Sequence, residues 1–205
     1  TGVYNRRYFE EQIKKKNENA GVAVIDMDDF KLCNDTLGHS AGDAALRTMV
    51  KTVKHCIRKT DILIRYGGDE FILVLQNIKK ENFFNKLVQI QSDIHAANVP
   101  GFPKLQLSVS IGGVISSKET VEHAVMQADK LMYQAKEHKN MVVTEDNASY
   151  VAPGVANRKA RQQILIVDDS EMNRAILSEM LKKDFDILEA ENGKECLDIL
   201  QQYGM

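Results

Sequence analysis

Two short apolar runs, Ile62-Leu63-Ile64 and Phe71-Ile72-Leu73-Val74-Leu75, are separated only by Arg65-Tyr66-Gly67-Gly68-Asp69-Glu70. So short a link between strand-like segments makes an antiparallel hairpin, because a parallel return needs a crossover of about a dozen residues or more. The two glycines suit a turn that tolerates positive φ. A turn does not explain Asp69 and Glu70, two carboxylates side by side at the mouth of a buried hairpin.

The pattern around the hairpin sets its surroundings. Residues 5–16 read as a helix, with Tyr8, Phe9 and Ile13 at helical spacing. Gly21-Val22-Ala23-Val24-Ile25-Asp26 is an apolar run ending in an acid, as a buried central strand would be. Residues 27–40 read as loop or a short helix. A helix follows from about Gly42, with Leu46, Met49, Val50, Val53 and Ile57 on one stripe. Residues 81–97 form another, with Phe83, Phe84, Leu87, Ile90 and Ile94 inward, and Pro100 and Pro103 end it. Leu105, Leu107, Val109 and Ile111 alternate with Gln106, Ser108 and Ser110, which predicts a half-buried strand. A helix over 120–138 and a final strand at Met141-Val142-Val143 complete the series.

The central order, β-α-β-β-α-β, is the ferredoxin-like arrangement. It predicts an α+β palm: an antiparallel sheet covered on one face by helices. Polymerase palms and nucleotide cyclases share it, so the fold leaves function open.

Beyond residue 144 the apolar pattern stops, and 145–163 reads as a linker around Pro153-Gly154. Ile164-Leu165-Ile166-Val167-Asp168-Asp169 then resembles a buried parallel-type strand ending in paired acids. A helix (171–181), a strand (185–190), Asn192-Gly193 and a helix (194–202) follow, an incomplete flavodoxin-like βαβα run too short to close a core. The expected organisation is a palm over 1–144, a linker, and a partial second domain over 164–205.

With 27 Lys and Arg against 29 Asp and Glu, the net charge is −2, and no basic footprint marks a nucleic-acid partner. Three cysteines without CxxC spacing give neither a disulfide framework nor a zinc pattern, so a reducing, cytoplasmic setting is expected. No apolar run reaches a membrane span, and no signal peptide opens the chain. A start at Thr1 suggests a piece of something longer.

The first strand of a palm neighbours its central hairpin, which would bring Asp26 close to Asp69 and Glu70. Carboxylates converging from two strands repel unless a cation holds them, and hard oxygen ligands suit Mg²⁺ or Mn²⁺. That is the site phosphoryl or nucleotidyl transfer needs. The plainer reading of any single acid is a cap on a strand end or turn. Gly67 and Gly68 admit two readings together, a turn and a floor that lets a nucleotide reach the backbone. No Walker GxxxxGK[ST] is present, which disfavours a P-loop NTPase.

Gly67-Gly68-Asp69-Glu70-Phe71 resembles the GGDEF signature of diguanylate cyclases. The resemblance runs over nearly all of residues 1–144. Thr1-Gly2-Val3-Tyr4-Asn5-Arg6-Arg7 is similar to the family's TGLxNRR opening. Asp26-Met27-Asp28-Asp29-Phe30-Lys31-Leu32-Cys33-Asn34-Asp35, with Gly38-His39 and Gly42-Asp43, is similar to its DxDxFKxxND…GH…GD segment. Ser110-Ile111-Gly112 and the 128–136 segment resemble its SxG and ADxxxYxAK elements.

The resemblance implies that two GTP molecules are joined into cyclic di-GMP with release of pyrophosphate. It implies a metal held by Asp26, the Met27 carbonyl and Asp69, with Asp69 also the candidate base and Glu70 in support. Asn34 and Asp43 would read the guanine edge, with His39 beside the substrate. Lys31, the amides around Phe30, and Lys136 would meet the phosphates. Where the family reads AKxxGRN, this chain has Ala135-Lys136-Glu137-His138-Lys139-Asn140, one residue shorter, without the glycine, and with Lys139 at the arginine's place. Lysine lacks arginine's bidentate phosphate geometry.

Arg58-Lys59-Thr60-Asp61 resembles the family's inhibitory RxxD site, where product would bind; an ordinary surface ion pair is the simpler reading. A cyclic dinucleotide has two equivalent linkages and one palm holds one GTP, so a two-fold homodimer is expected for catalysis. The segment from Ile164 resembles the start of a response-regulator receiver domain, with Asp168 and Asp169 as its acidic pair. The rival to a cyclase is a silent module that binds cyclic di-GMP or GTP and signals by contact.

Overall fold

The computed structural model describes residues 2–16, 19–117, 119–145, 150–151, 163–181 and 186–203. The chain divides into two units, Thr1–Pro153 and Gly154–Met205.

In the first unit β1 (Tyr4–Asn5) forms one edge of the sheet, pairing parallel with a later strand, and this delays the first helix relative to expectation. Asn5 then caps it, its Oδ1 accepting the Tyr8 N–H at 3.0 Å. One α-helical turn, α1 (Arg6–Tyr8), widens into a π-helical segment, Phe9–Ile13, that buries Phe9 and Ile13. There follow β2 (Ala20–Met27), α2 (Phe30–Leu37), α3 (His39–Cys56), β3 (Ile62–Arg65), β4 (Glu70–Gln76), α4 (Lys80–Ala96), β5 (Val109–Ser116), α5 (Val121–Lys136), β6 (Met141–Thr144) and β7 (Tyr150–Val151).

The sheet order is β1-β3-β4-β2-β5-β6-β7. Its centre, β3-β4-β2-β5, is wholly antiparallel, as the palm reading requires, and β5 and β6 add a parallel pair. β3 and β4 form the expected hairpin, with Ile64 opposite Ile72.

Helices cover both faces of this sheet, not one. On the first face Ala23, Ile25 and Leu73 pack with Met49 of α3 and with Leu87 and Ile90 of α4. On the other, Val22, Val24 and Ile72 pack with Phe9, Ile13, Ala124 and Ala128. The π-helical segment and α5 form that second layer. Each fully buried large side chain of this kind contributes about 1.5–3 kcal/mol relative to exposure.

The two-sided cover also changes β5. It begins at Val109, not near Leu105, and residues 109–114 are all buried. α5 lies so close on one face that a Cβ on Gly112 would sit 2.0 Å from the Met132 backbone nitrogen. α4 closes the other face, where a Cβ on Gly113 would sit 2.6 Å from Leu87 Cδ1. Serines and glycines supplied the apparent polar alternation, yet they are small enough to be buried under helices.

β7 pairs antiparallel with β6, so a strand lies inside the span expected to be linker. Residues 152–162 of that span lie outside the described residues.

The second unit contains β8 (Gln163–Val167), α6 (Glu171–Leu181), β9 (Asp186–Ala190) and α7 (Gly193–Tyr203). β8 and β9 pair parallel with Leu165 opposite Leu188. Phe185, expected to open the second strand, lies outside the described residues. β8 is less buried than its apolar run predicts: Ile166 is covered, whereas Val167 is exposed. With β9 as its one described neighbour, it lacks the flanking strand that buries such a run in a parallel sheet.

Candidate active site

β2 ends in the middle of the sheet, and its last residues decide the site. Asp26 stands opposite Glu70 of β4 on one side and Ser110 of β5 on the other. Its carboxyl is buried, 2% exposed. Met27 lies one step beyond the last β2–β4 pair, so on that side its main chain has no strand partner. Asp69 comes just before β4 at the same edge. The sequence reading brought these acids together, and the hairpin register does so.

Burial pushes the Asp26 carboxyl up to about 6, and the charges of Asp69 and Glu70 push the same way against the opposing Lys136 ammonium. Lys136, at the last position of α5, places Nζ 2.8 Å from Asp26 Oδ1. Burial works against the charged form of Lys136, but Asp26 beside it outweighs that, and the net direction is up.

Among the described residues no three His, Cys, Asp or Glu side chains gather closely enough to hold an ion alone. This donor set still fits magnesium, which takes one or two carboxylates and completes its shell with water and substrate phosphate. Asp26, Asp69 and the Met27 carbonyl would be those donors. The repulsion among the acids, answered here by Lys136, is what a cation would relieve.

The turn differs from expectation in its glycines. Neither Gly67 nor Gly68 has positive φ. A Cβ on Gly67 would lie 2.7 Å from Glu70 Oε2, the far end of a flexible side chain that can swing away. Gly68 faces open space, and its carbonyl accepts the Arg65 guanidinium at 2.6 Å. Of the two readings, the positive-φ turn does not hold, and the open space at Gly68 suits a floor.

α2 begins at Phe30 after Asp29, which is left-handed at φ 55° and offers no side-chain cap to the helix. Its first N–H groups are therefore available to an anion. Lys31 is exposed one residue later. Asn34 lies over Gly42 of α3, where a Cβ would come 2.1 Å from Asn34 Oδ1. Gly42 thus lets the two helices close and brings Asn34 beside Asp43, which is exposed and 3.9 Å from the Arg47 guanidinium. His39 opens α3 and is exposed.

Lys139 donates to both oxygens of Asp29 at 2.8 Å, so its ammonium stands at the uncapped end of α2. Three residues that the sequence reading assigned no role tie this corner together. Asp28 accepts from Ser108 Oγ, from Ser110 Oγ at 2.7 Å and from the Asn140 N–H at 2.8 Å. Gln91, wholly buried in α4, donates through Nε2 to the Asn140 carbonyl at 2.8 Å. One signal for Gln91 was in the sequence: an amide on an otherwise apolar helix face, between Ile90 and Ile94.

Arg58 and Asp61 stand apart from this edge. Asp61 Oδ2 accepts the Arg58 N–H at 2.8 Å and Oδ1 accepts the Gln76 N–H at 3.1 Å, so Asp61 braces the turn into β3. Arg58 is exposed and lines a pocket of about 500 Å³ with Tyr4, Lys54 and Asp61. In the second unit, Asp168 follows β8 and accepts the Ser170 N–H at 2.8 Å and the Asn173 amide at 3.2 Å; Asp169 is exposed.

A palm sheet with an acidic edge is an architecture that nucleotide cyclases share with polymerase palms. Residues 1–141 match the family model described as "Diguanylate cyclase, GGDEF domain", and the chain belongs to that family. It is 34% identical over 146 residues to diguanylate cyclase DgcS of Shewanella oneidensis, covering 66% of this chain and 48% of that protein. It is 29% identical over 145 residues to the probable diguanylate cyclase DgcC of Escherichia coli K12, covering 66% of this chain and 39% of that one. The chain thus spans less than half the length of these relatives. A microbial GGDEF domain solved for its interaction with cyclic di-GMP superposes with a TM-score of 0.60 at 27% identity, over 71% of this chain and 95% of that one.

Proposed function

We propose that this chain condenses two GTP molecules into cyclic di-GMP with release of pyrophosphate. The observation that carries the reading is the edge where buried Asp26 meets Glu70 across the β2–β4 pair, beside Asp69, with Lys136 at 2.8 Å. In each half-reaction the 3′-hydroxyl of one GTP attacks the α-phosphorus of the other. A 3′-O–P bond forms, the α–β phosphoanhydride bond breaks, and pyrophosphate leaves. Asp69 takes the hydroxyl proton, with Glu70 in support. Asp26, Asp69 and the Met27 carbonyl would hold a magnesium ion, which when bound would neutralise charge on the phosphates.

Lys31, the first amides of α2 around Phe30, Lys136 and Lys139 orient the triphosphate; Asn34 and Asp43 take the guanine edge, with His39 alongside. One edge holds one GTP, so both linkages are made where two copies meet about a two-fold axis. Arg58 and Asp61 bind product and limit the reaction. GTP is a cytoplasmic substrate, and among the described residues no helix is long and apolar enough to cross a membrane. The 164–205 segment is the opening of a receiver domain; its parallel β8–β9 pair and the Asp168-Asp169 pair after β8 support this.

The test is incubation with GTP and Mg²⁺ followed by separation of products, at concentrations that permit dimers. Cyclic di-GMP and pyrophosphate are expected. Tight GTP binding without either product would make the chain a silent nucleotide-binding module instead.

A further inference from the structure

The short loop after α5 runs from Lys136, the last residue of that helix, through Lys139, and holds an uncommon conformation. Lys139 and Asn140 are consecutive and both left-handed, at φ 53° and 48°. Side chains with a Cβ disfavour that region, so such a pair persists only where its surroundings hold it. The holders are visible. Asp28 takes the Asn140 N–H at 2.8 Å, and Gln91 gives its amide hydrogen to the Asn140 carbonyl at 2.8 Å.

Gln91 is out of place by the rules of burial. It is wholly buried in α4 on the face that carries Leu87, Ile90 and Ile94. Its Oε1 has no hydrogen-bond partner among the described residues, so the amide carries an unmet desolvation cost that an apolar side chain would avoid. Its one hydrogen bond among the described residues is to the loop. Opposite, Asp28 is itself held by Ser108 and Ser110 of the segment entering β5. The loop is gripped at one residue, Asn140, from two sides. At its ends Lys136 lies against Asp26 and Lys139 against Asp29.

We propose that Gln91 is a positioning residue for triphosphate binding: through the Asn140 carbonyl it holds the left-handed turn that keeps Lys136 and Lys139 over the acidic edge. The inference rests on the reading that these lysines meet the terminal phosphates. It predicts a specific signature. A loosened loop weakens contact with the β- and γ-phosphates and leaves the guanine end, built by α2 and α3, as it was.

The experiment compares Gln91→Met with the natural chain, using Mg²⁺ and two ligands, an α,β-methylene analogue of GTP that cannot release pyrophosphate, and GMP. Calorimetry counts sites per folded molecule and thermal unfolding tracks stability. The methionine variant is expected to bind the triphosphate analogue about tenfold more weakly, the loss of a charge-assisted contact or two, with GMP affinity unchanged. Equal weakening of both ligands, or no change in either, overturns the positioning role. If the natural chain prefers the triphosphate no more than GMP, the phosphate role of the lysines falls and takes this inference with it. Should Gln91→Met fail to fold, Ser110→Ala loosens Asp28 from the other side of the loop and carries the same expectation and the same refutation.

Discussion

The two ends of the candidate site are built to different tightness. At the acidic end Asp26 is 2% exposed, sits opposite Glu70 in a paired register and has Lys136 at 2.8 Å. At the end formed by Asn34 and Asp43 the Asp43 side chain is 69% exposed, and the Arg47 guanidinium stands 3.9 Å away. The first end is made by strands and a packed helix, so its geometry exists before substrate arrives. The second is a corner of two helices that depends on one close approach, Asn34 over Gly42. Preorganised charge serves a transition state, whereas a solvated corner serves recognition. Rate should therefore answer to the first end and affinity to the second.

Five substitutions break or sharpen that contrast. The largest effect belongs to Asp26→Asn, which keeps size and removes charge. Cyclic di-GMP formation should fall on the order of 10³-fold, since metal-assisted charge neutralisation is worth several kcal/mol. Stability should hold or rise, because burial already disfavours the ionised carboxyl. Activity within tenfold of the natural chain would mean that the acidic end is not the reacting end.

Gly112→Ala comes next and attacks the same end through packing. A Cβ there meets backbone atoms of α5 at 2.0 and 2.1 Å, and neither can rotate away. Unfolding should become easier by about 3 kcal/mol, the upper part of the overpacking range. Gly68→Ala is its partner, since open space and a negative-side φ predict a stability change within about 0.5 kcal/mol. If Gly68→Ala raises the GTP KM without touching stability, the floor reading of the turn gains its evidence; an equal stability loss in both variants would undo the distinction.

At the other end Gly42→Ala forces Asn34 aside by steric contact at 2.1 Å. The expected result is a GTP KM about tenfold higher, the loss of a hydrogen bond or two to the guanine edge, with kcat little changed. A fall in kcat with constant KM would place Asn34 at the acidic end instead.

The smallest effect tests whether the base end is local to the start of α3. Cys56, the last residue of that helix, has its thiol pushed up to about 11 by burial, with the Asp93 carboxylate at 3.2 Å adding to the shift. The thiolate is scarce below that value, so alkylation of Cys56 should keep quickening through pH 9–10, beyond the ordinary thiol midpoint of about 8.5. Asp43→Ala should leave this profile as it was. A levelling near pH 8.5 would mean that the end of α3 opens in solution.

Much of this was legible in residue order. The hairpin, the central β-α-β-β-α-β run and the helix stripes rest on local periodicity, and Asp26, Asp69 and Glu70 could be brought together because register follows from a short link. Lys136 and Asn34 were placed by resemblance alone. The β5 pattern misled because Ser110, Gly112 and Gly113 read as polar or neutral, yet are buried beneath α4 and α5. Small residues hide burial from a hydrophobic pattern.

By itself, the sequence determined the central strands and the main helices, their order, and that two carboxylates sit in a turn facing a strand that ends in an acid. Those are local properties, carried by period and spacing. Only the tertiary structure decided that helices close both faces of the sheet, that Lys136 answers Asp26, and that β1 and β7 extend the sheet at its edges. It alone joined Asp28 and Gln91 to Asn140, residues 112 and 49 positions apart in the chain. Such contacts have no period, because a hydrogen bond between a side chain and a distant carbonyl leaves no trace in residue spacing.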